Sequence, residues 1–96
     1  MSANNQTLIK EHKGKWYVFV NVNAESWDWN KEKNEPGPNK LSIKEADGVY
    51  DKRIDALSAA WRLDEIWGQF REGTEYGVQE DVLFKDGAEV EIIEEK

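Results

Sequence analysis

The densest apolar stretch of the chain is KWYVFVNV, residues 15–22, in which Asn21 is the only polar residue after Lys15. Its β-branched and aromatic residues predict a strand. Period-two alternation puts Trp16, Val18, Val20 and Val22 on one face and Tyr17 and Phe19 on the other. Both faces begin apolar, so the strand is expected to be central and covered on both sides. Upstream, TLIKE (7–11) reads as a short strand and HKGK (12–15) as a turn with Gly14 at its apex. Residues 1–6 read as a disordered tail, which leaves 7–96 as one domain.

Trp27 and Trp29 follow, one residue apart. An unbroken strand from 15 to 29 would be about 50 Å long, in a domain whose radius of gyration should be about 12–13 Å. A bulge near NAES (23–26) is therefore expected, and one extra residue there returns both tryptophans to the valine face. The polar run 30–40 contains Pro36-Gly37-Pro38 and reads as a loop. LSIKE (41–45) offers a return strand through Leu41 and Ile43, and Gly48 marks a turn.

Helical spacing then takes over. A helix is predicted from Lys52 to Glu72, with Asp51 as N-cap and Gly73 as its stop. At about 100° per residue, Ala56, Ala59, Ala60, Leu63, Ile66, Trp67 and Phe70 form an apolar stripe. Ile54, Leu57 and Trp61 form a second set to one side, and Ser58, Arg62, Glu65 and Gln69 mark the wet face. The apolar arc is wider than one sheet contact requires. A further body is expected over Trp61: the 24–40 loop, the N-terminal strand or a second copy of the chain.

VQEDVLFK (78–85) and AEVEII (88–93), joined at Asp86-Gly87, read as a hairpin. A bulged turn pairing Phe84 with Val90 and Val82 with Ile92 gathers more apolar side chains on one face than the register pairing Phe84 with Glu89. The element order is β-β-β-α-β-β. The predicted fold is α+β, one long helix on a mostly antiparallel sheet of about 4–5 strands.

Composition narrows the chemistry. Of 96 residues, 39 % are hydrophobic and 34 % charged, a balance that five Trp tilt toward a folded core. The net charge is −7, and it sits at one end: residues 72–96 carry nine acidic side chains against Lys85 and Lys96, while 1–71 are balanced. Such a charge disfavours direct nucleic-acid or anionic-membrane binding. No Cys is present, the N-terminus lacks an apolar signal core, and no apolar run approaches a bilayer's span. A cytoplasmic location is expected.

Catalytic signals are weak. His12 stands alone in a charged turn and reads as solvated; the four serines lack a nucleophile-elbow context; no phosphate loop or calcium loop is present. Asp28 between two Trp has the sequence surroundings of a carboxyl with a raised pKa, but alternation turns it away from both rings. No catalytic residue, metal or cofactor is expected, and no motif identifies a family. The remaining signal is aromatic: Trp27, Trp29, Tyr50 and Trp61 are the candidate partner-binding edge. The expected function is a non-enzymatic protein-binding or self-associating module. Two readings compete with it. One is an inhibitor or nucleic-acid mimic using an acidic patch of Glu80, Glu89, Glu91 and Glu94. The other is a small-ligand or carbohydrate-binding protein or enzyme.

Overall fold

Strands β1 (Asn5–His12) and β2 (Lys15–Asn23) pair antiparallel and form the middle of the structure. The computed structural model describes residues 5–23, 29–30, 35–36, 39–70, 74, 76–82 and 89–94; at 23, 29–30, 35–36, 39 and 67–70 it describes the backbone alone. The connecting turn is Lys13-Gly14, both left-handed at φ 52° and 80°. That mirror-image turn matches the twist of the flanking strands.

On one edge β2 pairs with β6 (Gly48–Tyr50), antiparallel; on the other, β1 pairs with β7 (Val78–Glu80), parallel. The four-stranded order is β6-β2-β1-β7. β3 (Trp29–Asn30) and β4 (Glu35–Pro36) make a small antiparallel pair. β5 (Asn39–Ser42) and β8 (Val90–Ile93) make a parallel pair. The single helix, α1 (Arg53–Phe70), lies between β6 and β7 in sequence. The fold is α+β, and the Cα radius of gyration is 13.3 Å. No helix among the described residues is long and apolar enough to cross a membrane.

Alternation along β1 and β2 divides the core into two layers. Ile9 and Val18 face α1, packing on Ala56 and Ala60, with Trp16, Val20, Tyr50, Leu57, Leu63 and Val78 around them. Leu8 and Phe19 face the other way, onto Leu41 of β5 and Val90 and Ile92 of β8. The expectation of a central strand covered on both sides therefore holds. The helix covers one face of the sheet, and the β5–β8 pair covers the other.

A bulge stands upstream of the predicted one, whose residues 24–26 lie outside the described residues. Gln6 pairs with Val22 and Leu8 with Phe19, so Thr7 alone faces both Val20 and Asn21. Asn21 takes a left-handed φ of 62°, which short polar side chains tolerate best after glycine. The extra residue sends Val22 across to the Phe19 side, where sequence alternation put it with Val18. Three further hydrogen bonds hold this end. Val20 N–H donates to Asp47 Oδ2 at 2.7 Å, Asp47 N–H donates to Val18 O at 2.7 Å, and Asn5 Nδ2 donates to Asn21 Oδ1. Asn5 and Gln6, read as part of a tail, are buried residues of β1. Gln6 Nε2 donates to Val82 O at 3.1 Å.

α1 begins one residue later than expected, and Asp51 does not cap it. The Ala56 N–H bonds Lys52 O at 3.2 Å, and the Asp51 carboxylate is taken by Lys15 Nζ. The predicted stop at Gly73 lies outside the described residues. Ala56, Ala59 and Ala60 are buried as expected, but Ile66 is exposed. Asp64 Oδ1 accepts from Thr7 Oγ1 at 2.8 Å and from Thr74 Oγ1, tying the helix to β1 and to the segment before β7. LSIKE splits: β5 ends at Ser42, and Ile43–Glu45 form a 3₁₀ turn whose Lys44 N–H is capped by Ser42 Oγ at 3.2 Å.

The C-terminal hairpin is corrected most. β7 and β8 belong to different layers, and the described antiparallel pairing between their segments is the single bridge Val82–Glu89. That bridge fits neither predicted register; Phe84 and the Asp86-Gly87 turn lie outside the described residues. The break is at Asp81, left-handed at φ 68°, which turns the chain from the first sheet toward the second.

Asn21→Val is expected to destabilise the fold by about 1–3 kcal/mol, because a β-branched residue is strained at this φ. Asn21→Gly, which loses only the bond to Asn5, should stay within about 1.5 kcal/mol of the parent. Urea unfolding of both variants checks this; equal losses would remove the backbone explanation.

Candidate functional site

Helical geometry turns Ile54 and Trp61, seven residues apart, onto the side of α1 away from Ala56 and Ala60. Ile54 is 61 % exposed and Trp61 55 %. Leu57, the third member of that set, is half-buried against the helix-side core. Trp61 is seated on one side: a Cβ built on Gly77 would lie 3.7 Å from its Cη2. Gly77 also has φ 65°, so a side chain there would be strained as well as in contact with the ring. Among the described residues, the strand-entry segment before β7 thus lies against Trp61. Arg62 and Glu65 are exposed on the same wet side.

Of the predicted aromatic edge, Tyr50 and Trp61 do not share one groove. Tyr50 is half-buried on β6, and its ring folds back over Gly48, where a Cβ would come within 2.8 Å of Tyr50 Cε2. Trp61 leans toward β7, at the opposite edge of the four-stranded sheet. The two rings serve different edges. Trp29 contributes backbone to β3, paired with Pro36. Trp27 and Asp28 lie outside the described residues.

The acidic patch also divides. Glu80 faces the helix layer, where its Oε1 accepts from Arg53 Nε at 2.9 Å and Nη2 at 2.5 Å. Glu94 lies past the end of β8, where Lys13 Nζ donates to its Oε2 at 2.6 Å. Glu89 and Glu91 are exposed and form no ion pair among the described residues. They alternate with the buried Val90 and Ile92, so they project from the outer side of the β5–β8 layer.

His12 departs from the reading as a solvated turn residue. It closes β1, half-buried, with its ring edge-on to Tyr17 at a centroid distance of 6.3 Å. Its Nε2 is shut off from solvent and lies 3.5 Å from Glu94 Oε1, without an aligned hydrogen bond. Beside it is an open groove of about 470 Å³, lined by Lys10, His12 and the successive residues Glu89, Val90, Glu91 and Ile92. Lys10 Nζ is 3.7 Å from Asp81 Oδ1. Sequence reasoning misses this groove because its walls are about 80 residues apart in the chain. The available signal is that Lys10 and His12 share the Leu8 side of β1. Among the described residues no cluster of three His, Cys, Asp or Glu could hold a metal ion.

Comparison of the chain with protein-family models, with curated proteins and with solved structures finds no match.

The hydrogen bond from Lys13 holds the Glu94 carboxyl below its ordinary range; desolvation opposes it, and the charges of Lys13 and then His12 add to the lowering. A carboxylate depressed on folding stabilises the fold above its unfolded pKa, and that contribution is lost as pH falls through the lower, folded value. Glu94→Gln should therefore lower the melting temperature at about pH 7 and converge with the parent at about pH 2. Thermal melts across that range check it; an unchanged difference at both ends would disprove the linkage.

Proposed function

We propose that this protein is a non-enzymatic protein-binding module whose contact surface is the outer face of α1, and that its first partner is a second copy of the chain. The observation that carries the reading is the exposure of Ile54 and Trp61, 61 % and 55 %, on a helix whose other side packs on the sheet through Ala56 and Ala60. Tryptophan is the residue most enriched among binding hot spots, and Trp61 is already held on one side by Gly77, so less of its freedom is lost on binding.

Charge favours an identical partner at this face. Arg62 and Glu65 lie beside Trp61, so two helices meeting about a two-fold axis bring opposite charges together. The exposed carboxylates Glu89 and Glu91 belong to the layer on the far side of the four-stranded sheet. A contact through α1 keeps those acidic strands apart, which a net charge of −7 otherwise makes costly.

Sedimentation equilibrium tests the reading. The parent should associate at micromolar concentration, with Trp61→Ala and Ile54→Asp each weakening the dimer at least about tenfold. Arg62→Glu and Glu65→Arg should each weaken it, and the two together should restore it. A parent that stays monomeric to about 100 µM, or association indifferent to Trp61→Ala, overturns the proposal.

A further inference from the structure

β8 has one edge in the parallel ladder with β5, where Asn39 pairs with Val90 and Leu41 with Ile92. Among the described residues its other edge is used once: Val90 N–H donates to Asp81 O at 3.2 Å. That bond fixes which amides point outward. Strand backbone repeats every two residues, so the Ile92 N–H and C=O turn the same way as those of Val90. No described residue takes the Ile92 N–H. The groove of about 470 Å³ touches four consecutive residues, Glu89 to Ile92. Side chains alternate between faces, so a groove that meets four in a row follows the edge of the strand rather than either face.

We propose that this open edge of β8 is a docking site for an extended peptide with basic residues at every second position. An added strand gains its affinity from the backbone bonds at Ile92 and its register from side chains across the pair. Residues opposite Glu89 and Glu91 meet exposed carboxylates that form no ion pair among the described residues; Lys40, level with Glu91 across the β5–β8 ladder, stands on the other edge of β8. Residues between them point inward, toward Lys10 and His12 on the groove wall, where a small apolar side chain fits and a second cation does not. The alternation of the site, carboxylate outward and cation inward, is what selects alternating lysine over a general polycation. The groove is separated from the outer face of α1 by the whole four-stranded sheet, so this inference stands apart from the self-association proposed above.

The test uses the full chain and three synthetic heptapeptides: alternating lysine and valine, alternating glutamate and valine, and the lysine peptide with its lysines grouped at one end. Amide chemical shifts locate the site, and hydrogen exchange at Ile92 reports on its N–H. The alternating lysine peptide should shift the amides of residues 89–93 and slow Ile92 exchange at least about tenfold when saturating. It should bind at least about tenfold more tightly than the grouped peptide. Glu89→Lys with Glu91→Lys, both at exposed positions that folding tolerates, should weaken it at least about tenfold and admit the glutamate peptide. Asp55→Lys, at an exposed position of α1, should leave peptide binding unchanged. Equal binding of the grouped peptide, shifts without slowed Ile92 exchange, or no binding at millimolar peptide would overturn the proposal. So would concentration-dependent shifts at β8 without peptide, which mean that a second copy takes the edge.

Discussion

Leu8, Ile9, Val18 and Phe19 are 0, 0, 0 and 2 % exposed, and neighbours among them point to opposite sides of one strand pair. That pair cannot be half-solvated. An antiparallel hairpin with apolar residues on both faces is stable only between two covering layers. The chain supplies both from little material. α1 approaches closely because Ala56 and Ala60 leave no bulk between its axis and the sheet. β5 and β8 bring Leu41, Val90 and Ile92 to the other side. Removing either layer would expose two of the four residues, at roughly 1.5–3 kcal/mol each.

The sandwich leaves polar backbone at its ends, and named side chains satisfy it. Asp47 takes the Val20 N–H beside the bulge, and Asp64 takes hydroxyls from both Thr7 and Thr74 where helix, sheet and following segment meet. Thr7 is fully buried, so its hydroxyl would be costly without Asp64. The surface pairs are different in kind. Lys15 with Asp51 is exposed; it orients the helix entry more than it stabilises the fold. The corrected role of Asp51 follows: a carboxylate within reach of Lys15 is drawn across to the hairpin instead of turning back on the helix N-terminus.

What can be read from the chain follows from how local each signal is. The helix, the Lys13-Gly14 turn and the two-faced β2 strand rest on spacing within a few residues, and each is where the pattern puts it. The fold class follows from their order. The observed bulge is not read from strand length, which says that a long run must bend without saying where; Asn21 is the clue, a polar residue amid aliphatics. The split between β7 and β8 is not legible. Val78 and Val90 are both apolar residues in alternating segments, and nothing in that alternation says that one packs on the helix and the other beneath the sheet. Tyr50 and Trp61 separate for the same reason: they are close in sequence, but the strand order sends them to opposite edges.

The two surfaces left open answer to different partners because the charges are divided between layers. Natural edge strands commonly carry charges that discourage pairing with their own kind. Glu89 and Glu91 do that here: two β8 edges brought together would set carboxylate against carboxylate, since Lys40, level with Glu91, belongs to β5 on the opposite edge. The same pair attracts a basic strand. The outer face of α1 has no such bar, since Arg62 and Glu65 offset each other beside Trp61. On the proposed reading, charge therefore disfavours pairing of two copies at β8 and not at α1, and the buried hairpin between the layers keeps the two surfaces apart.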